Sequence, residues 1–123
     1  MWKRTNGKLV QTIDNKRIEF RTNISKALIQ KLNNLAKEND TYINYLIENG
    51  LYAVLNQQII TFNKDLRPKD RVQYKTTYDK ELLENIKKFA KQHKLYINDV
   101  IEYSCQFINI EDVKDRSHKH RIE

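Results

Sequence analysis

The 123-residue chain contains little cysteine, glycine or proline, and each shortage narrows the range of folds that the chain can adopt. Its one cysteine, Cys105, cannot form an internal disulfide, so a disulfide-stapled scaffold is excluded and a reducing cytoplasm is the expected location. Two glycines and one proline leave few residues for tight turns, which favours helices. No apolar run approaches the roughly 18 residues of a membrane span, so we expect neither a membrane segment nor a signal peptide.

Catalytic signatures are missing as well. The sequence has no Cys–His pair at a useful spacing, no glycine-rich phosphate loop, no zinc signature and no carboxylates clustered in an apolar setting. His118 and His120 stand in a mixed-charge tail without ligand partners, and we interpret them as surface residues. We therefore expect no enzyme activity, no catalytic residues, no metal and no cofactor.

What the chain does have is positive charge. It carries 23 basic and 16 acidic residues, a net charge of +7 and an isoelectric point near 9.5. A small domain with this excess suits a polyanion partner, usually nucleic acid, although lysine that serves only solubility is the alternative. Lys3, Arg4, Lys8 and Lys16 concentrate basic charge in residues 1–16.

An internal repeat organises the rest of the sequence. A shift of 54 positions aligns residues 17–55 with residues 71–109 without a gap, and 11 of the 39 aligned pairs are identical. The tripeptide Tyr-Ile-Asn recurs intact at 42–44 and 96–98. Two helical hairpins that share a period by accident are the alternative explanation.

Each copy begins with strict alternation, which predicts a half-buried strand. The predicted inward residues are Ile18, Phe20, Thr22 and Ile24 in the first copy and Val72, Tyr74, Thr76 and Tyr78 in the second. Ser25 and Asp79 follow at the positions of helix N-caps. Apolar residues at helical spacing then predict helices over 28–36, 43–54, 82–90 and 97–108, with breaks at Asn39-Asp40 and His93-Lys94.

One copy has a single strand and about 39 residues, which is too little to fold without support. Antiparallel pairing of the two strands, with four helices around them, supplies that support. The predicted fold is mainly α with a short antiparallel β-ribbon. Its segments are a basic N-terminal arm (1–16), a first copy (17–55), a linker (56–70), a second copy (71–109) and a charged C-terminal tail (110–123), with 9–13 and 58–62 as candidates for an extra strand.

This pattern resembles the ribbon-helix-helix family, the Arc- and MetJ-type DNA-binding proteins. The resemblance covers 78 of 123 residues and rests on the strand of residues 17–24, the cap Ser25, the run 28–36 and the helix start Ile43-Asn44-Tyr45-Leu46-Ile47, each with its second copy. It implies a tandem ribbon-helix-helix that forms an intramolecular pseudo-dimer. It also implies a ribbon that enters the major groove of double-stranded DNA, with higher-order association on DNA as a further family property.

Carried over by position, the resemblance assigns two sets of DNA contacts. The implied base readers are Glu19, Arg21 and Asn23 from one strand and Gln73, Lys75 and Thr77 from the other. The implied phosphate contacts are Arg17, Arg71, Tyr42, Asn44, Tyr96, Asn98, Lys3 and Arg4. The alternatives are polar strand residues that are merely solvated, and tyrosine rings that cover the core instead of presenting a hydroxyl to a phosphate.

The expected function is sequence-specific binding of double-stranded DNA by a cytoplasmic, nucleoid-associated transcriptional regulator, such as a repressor. Because the two sets of base readers differ, we expect an asymmetric, non-palindromic target. The alternatives are an accessory DNA-binding protein of plasmid partition or conjugation, and a protein-interaction adaptor that has lost DNA binding.

Overall fold

The computed structural model of the chain describes residues 2–5, 8–11 and 17–114. Within these ranges the protein is mainly helical, with a two-stranded antiparallel sheet and a short N-terminal hairpin. Its elements in chain order are β1 (Trp2–Thr5), β2 (Lys8–Gln11), β3 (Arg17–Ser25), α1 (Lys26–Glu38), α2 (Ile43–Gln57), β4 (Arg71–Asp79), α3 (Lys80–Gln92) and α4 (Ile97–Ser104). None of the helices in these ranges has both the length and the apolar character needed to cross a membrane.

Strands β3 and β4 pair over their whole length, and Arg21 stands opposite Lys75 at the centre. These two residues are also each other's counterparts under the 54-residue shift, so the ribbon is symmetric about this pair. The predicted alternation is confirmed for the inward residues that pack on the core, namely Ile18, Phe20, Ile24, Tyr74 and Tyr78. The prediction was wrong for Val72, the second residue of β4, which is 41% exposed and does not pack on the core.

The predicted helix starts and breaks are also confirmed. The Ser25 hydroxyl accepts a hydrogen bond from the Leu28 amide at 3.3 Å, and the Asp79 carboxylate accepts one from the Glu81 amide at 3.2 Å. These side chains satisfy amides that have no partner inside the helix. After α1 and α3 the chain passes through left-handed residues, Asp40 with φ 52° and Lys94 with φ 57°, and each of these helices therefore stops.

Helices α2 and α4 lie against each other in the centre of the core. Leu46, Ile47, Leu51, Val100 and Ile101 are completely or almost completely buried. The helices approach so closely that a Cβ atom at Gly50 would collide with the backbone carbonyl of Ser104. Glycine is therefore required at this crossing.

The second copy ends differently from the prediction. Helix α4 stops at Ser104, a 3-10 turn follows at Cys105–Phe107, and the chain is helical again over 110–114. The Asn109 side chain accepts from the amides of Glu111 and Asp112, which starts the new helical turn. Because Val113 is buried in the core, the predicted tail of 110–123 begins too early. His118 and His120 lie outside the described residues.

The segments around the two copies depart from the sequence predictions in detail. In the predicted basic arm, β1 and β2 pair with each other, with Lys3 opposite Val10 and Arg4 opposite Leu9. Residues 58–63 form no strand, and the first copy's second helix extends to Gln57, where Gln58 closes it in a left-handed conformation. The linker also contributes a cap, since the Asp70 carboxylate accepts from the Ala27 amide at 3.0 Å and from the Ser25 hydroxyl at 3.1 Å.

Candidate nucleic-acid interface

The outer face of the ribbon carries all six of the side chains predicted to read bases. The register places Glu19 opposite Thr77, Arg21 opposite Lys75, and Asn23 opposite Gln73. Five of these side chains are exposed, and Thr77 is half-buried. Thr77 is covered because Arg17 donates to both its hydroxyl, at 3.4 Å, and its carbonyl, at 3.0 Å.

Charge is distributed unevenly over this face. The Glu19 carboxylate lies 3.5 Å from the Lys75 ammonium, diagonally across the ribbon. Within residues 17–114, Arg21 forms no ion pair. The face therefore carries two cations and one anion, a net charge of +1, and the guanidinium of Arg21 is its uncompensated cation.

A groove of about 480 Å³ joins one end of the ribbon to the start of α4. Its lining includes Arg21, Asn23 and Gln73 from the ribbon and Tyr96 and Asn98 from the helix start. The Asn98 side-chain amide donates to the Asn23 carbonyl at 3.0 Å, which fixes the helix to the strand. Three predicted base readers and two predicted phosphate contacts thus meet in one depression.

The start of α4 is held by a charge network that the sequence analysis did not predict. Asp99 is fully buried and accepts from Arg67 at 2.7 Å, from Arg71 at 2.7 Å and from the Tyr96 amide at 3.0 Å. Burial would by itself raise the pKa of Asp99, but the hydrogen bonds from Arg67 and Arg71 outweigh it and hold the pKa below its ordinary value. The guanidinium of Arg67 lies 4.5 Å from the centre of the Tyr96 ring.

The start of α2 is built differently. Tyr45 occupies the position that corresponds to Asp99, and the Arg17 guanidinium lies 5.8 Å from the centre of its ring. Tyr42 packs its ring edge against Tyr45. Tyr42 and Tyr96 are 68% and 64% exposed, so the alternative in which these rings cover the core is wrong. Asn44 is half-buried beside them.

The arginines that open the two strands have partners inside the fold. Arg17 pairs with Glu48 at 3.2 Å, and Arg71 pairs with Glu102 at 2.5 Å. Both ion pairs leave less of the guanidinium charge for a phosphate, and the predicted phosphate contacts of these arginines stay predictions. Those of Lys3 and Arg4, which lie in β1, stay predictions too.

Glu48 and Glu102 are the residues of this region that the sequence reasoning overlooked. Besides its arginine, each glutamate accepts from the backbone at the end of the opposite strand, Glu48 from the Asp79 amide and Glu102 from the Ser25 amide, both at 2.7 Å. The sequence does contain a signal for these ion pairs, because the arginine and the glutamate are each identical at the aligned positions of the two copies.

Comparisons with family models, with curated proteins and with solved structures find no match to this chain.

Proposed function

We propose that this protein binds double-stranded DNA in a sequence-specific manner by placing the β3–β4 ribbon in the major groove. A two-stranded ribbon is one of the elements that the major groove accommodates, because the groove is about 12 Å wide. The observation that carries the proposal is the convergence of six polar side chains on one outward face of that ribbon. All six belong to residue types that hydrogen-bond to base edges.

The proposal includes the architecture: two fused ribbon-helix-helix units that act as an intramolecular pseudo-dimer. Counterparts in the repeat meet at two places. Arg21 stands opposite Lys75 in the ribbon, and Gly50 packs against Ser104 between α2 and α4. The ion pair Arg17–Glu48 in the first copy also has its counterpart, Arg71–Glu102, in the second. Such relations are expected of a two-fold arrangement, in which each contact occurs twice.

The proposed biological role is transcriptional regulation at a non-palindromic site. The two strands present different triads, Glu19, Arg21 and Asn23 against Gln73, Lys75 and Thr77, so two identical half-sites are not their natural complement. An accessory role in plasmid partition or conjugation is the alternative within the same activity. The positions of the recovered sites, in promoters or at an origin of transfer, distinguish these roles.

The test is selection of bound duplexes from a random library at about 0.15 M salt, a concentration at which non-specific phosphate contacts are weakened. We expect the wild-type protein to enrich a short non-palindromic motif and Arg21→Ala/Lys75→Ala to lose it. The matched control is Lys31→Ala/Lys37→Ala, which removes two exposed positive charges from α1 and should keep the motif. If the wild-type protein enriches no motif, the ribbon does not read bases and a protein partner must be sought instead.

A further inference from the structure

The ribbon face contains one pair of opposite charges at close range. Glu19 and Lys75 are on different strands, yet the carboxylate and ammonium lie 3.5 Å apart. Their side chains are 67% and 51% exposed, so the pair stands in solvent on the outward face. An exposed ion pair of this kind contributes little to stability. The fold therefore does not explain why a carboxylate stands on a face that is otherwise suited to DNA.

The corresponding diagonal of the ribbon is not an ion pair. Under the 54-residue shift, Glu19 corresponds to Gln73 and Lys75 corresponds to Arg21. Gln73 and Arg21 both line the groove beside α4, and the glutamine leaves the guanidinium charge uncompensated. The two halves of the ribbon therefore offer different recognition groups. In one half Arg21, which shares a groove with Gln73, has no ion-pair partner within residues 17–114, and in the other half Lys75 is paired with Glu19.

We propose that Glu19 and Lys75 act together as one reader of a single C·G base pair, in the half of the ribbon that contains Thr77. This proposal rests on the DNA-binding function proposed above. Cytosine presents its N4 amino donor in the major groove, and guanine presents the acceptors O6 and N7. The carboxylate accepts from cytosine N4 while the ammonium donates to guanine. Since O6 and N4 are hydrogen-bonded to each other at about 2.9 Å, their separation is close to that of the ion pair.

The order of groups across the groove selects C·G over A·T. A G·C pair presents its two acceptors together on one side and its donor on the other, which matches a cation beside an anion. In an A·T pair the adenine N6 donor stands between two acceptors, N7 and thymine O4. A carboxylate that reaches N6 there is repelled on both sides, and the thymine methyl leaves no partner for a charged group. When the DNA covers the ribbon face, an A·T pair leaves a charge of the ion pair buried without a partner, and the cost of burying that charge disfavours A·T relative to C·G.

The experiment measures affinity for the selected duplex and for versions with each base pair replaced, by fluorescence anisotropy at about 0.15 M salt. The variants are Glu19→Gln, which introduces the residue type of the counterpart position, and Lys75→Gln. The matched control is Glu84→Gln, which removes an exposed carboxylate from α3. For the wild-type protein we expect one C·G position at which replacement weakens binding about tenfold or more. Both ribbon variants should reduce that preference at the same position to about threefold or less, while the control retains it.

Three results overturn the inference. Relaxation at different positions by the two variants means that Glu19 and Lys75 are separate readers. A loss for Lys75→Gln that is uniform over all duplexes, with a reduced salt dependence, means that this lysine binds a phosphate. Unchanged preferences for Glu19→Gln mean that the carboxylate reads nothing. These results leave the proposed function standing, whereas a wild-type protein without any sequence preference overturns both proposals.

Discussion

At the scale of single residues, Asp99 is the least expected feature of this protein. It is a fully buried carboxylate in the first turn of a helix, and its counterpart in the first copy is Tyr45. Burying a charge is costly unless it is paired and hydrogen-bonded. Arg67 and Arg71 supply the pairing, and the Tyr96 amide supplies a further hydrogen bond. Asp99 thereby connects the linker, strand β4 and helix α4.

This arrangement predicts a loss of stability in acid. The pKa of Asp99 is lowered in the folded state, whereas the unfolded chain titrates near pH 3.9. Between these values the unfolded chain binds more protons, so stability falls as the pH drops below about 5. We expect the melting temperature of the wild-type protein to fall over this range. Asp99→Asn should be less stable by about 3 kcal/mol at pH 7, because Arg67 loses its carboxylate partner and Arg71 keeps only Glu102, and its pH profile should be flatter.

The measurement is the melting temperature from pH 7 to pH 3. The matched control is Asp65→Asn, which removes an exposed carboxylate from the same linker and should follow the wild-type profile. Asp70 contributes to the wild-type slope as well, because its hydrogen bonds with the Ala27 amide and the Ser25 hydroxyl lower its pKa. Parallel profiles for Asp99→Asn and the wild-type protein would show that Asp99 does not titrate with folding.

At the scale of elements, the contact between α2 and α4 decides how closely the two halves pack. Gly50 allows the helices to touch, because a side chain at this point would occupy the position of the Ser104 carbonyl. The obstacle is backbone and not the end of a flexible side chain, so relief requires that a helix shift. The surrounding core, with Leu46, Leu51 and Val100 fully buried, resists such a shift.

Gly50→Ala is therefore predicted to destabilise the protein by about 1–3 kcal/mol. Destabilisation by this substitution would be informative, because alanine in the interior of a helix is normally more stable than glycine by about 1 kcal/mol. Urea unfolding followed by circular dichroism provides the measurement. Asn33→Ala, at an exposed position of α1, is the control and should be neutral or slightly stabilising. A Gly50→Ala protein as stable as the wild type would mean that α2 and α4 separate readily.

The secondary-structure elements also show which features of the fold the sequence predicts and which it does not. Strand alternation, helical stripes and the caps Ser25 and Asp79 are local signals, and they gave the positions of the ribbon and of α1 and α3. All six ribbon residues were placed on their common face for the same reason, since a period of two fixes which side of a strand a residue occupies.

Features that depend on distant contacts escaped prediction. The helical turn that follows α4 is held by Asn49, whose side chain accepts from the Asn109 amide at 2.7 Å and donates to Asp112 at 2.6 Å. These partners are about 60 residues away along the chain. Arg67 and Asp99 are 32 residues apart, and nothing in the spacing of a linker arginine indicates a buried carboxylate as its partner. Periodicity carries no information on such pairs.

At the scale of the whole molecule, a symmetric frame supports an asymmetric surface. Identical residues of the repeat form the frame, including the pairs Arg17–Glu48 and Arg71–Glu102. The six predicted base readers on the outward face differ at every corresponding position. In the proposed pseudo-dimer, fusion of two units in one chain would permit this difference, because each strand is encoded separately, whereas two identical subunits must present the same face twice.

We therefore predict that changes in the outward residues of the ribbon alone make the preferred DNA site symmetric. Glu19→Gln, Lys75→Arg and Thr77→Asn together give both strands the same outward residues. Positions 19 and 75 are exposed, and changes at exposed positions usually have small effects on stability. Thr77→Asn removes the hydroxyl that accepts from Arg17 but keeps the carbonyl that accepts from the same guanidinium, so we expect the triple variant to melt within a few degrees of the wild-type protein. In selection from a random library it should enrich a palindromic motif in place of a non-palindromic one.

The control is Gln73→Glu, Arg21→Lys and Asn23→Thr, which makes the other triad common to both strands and should yield a different palindrome. If the first variant still selects a non-palindromic site, the asymmetry of recognition originates at the helix starts, where Tyr45 and Asp99 differ, and not in the ribbon.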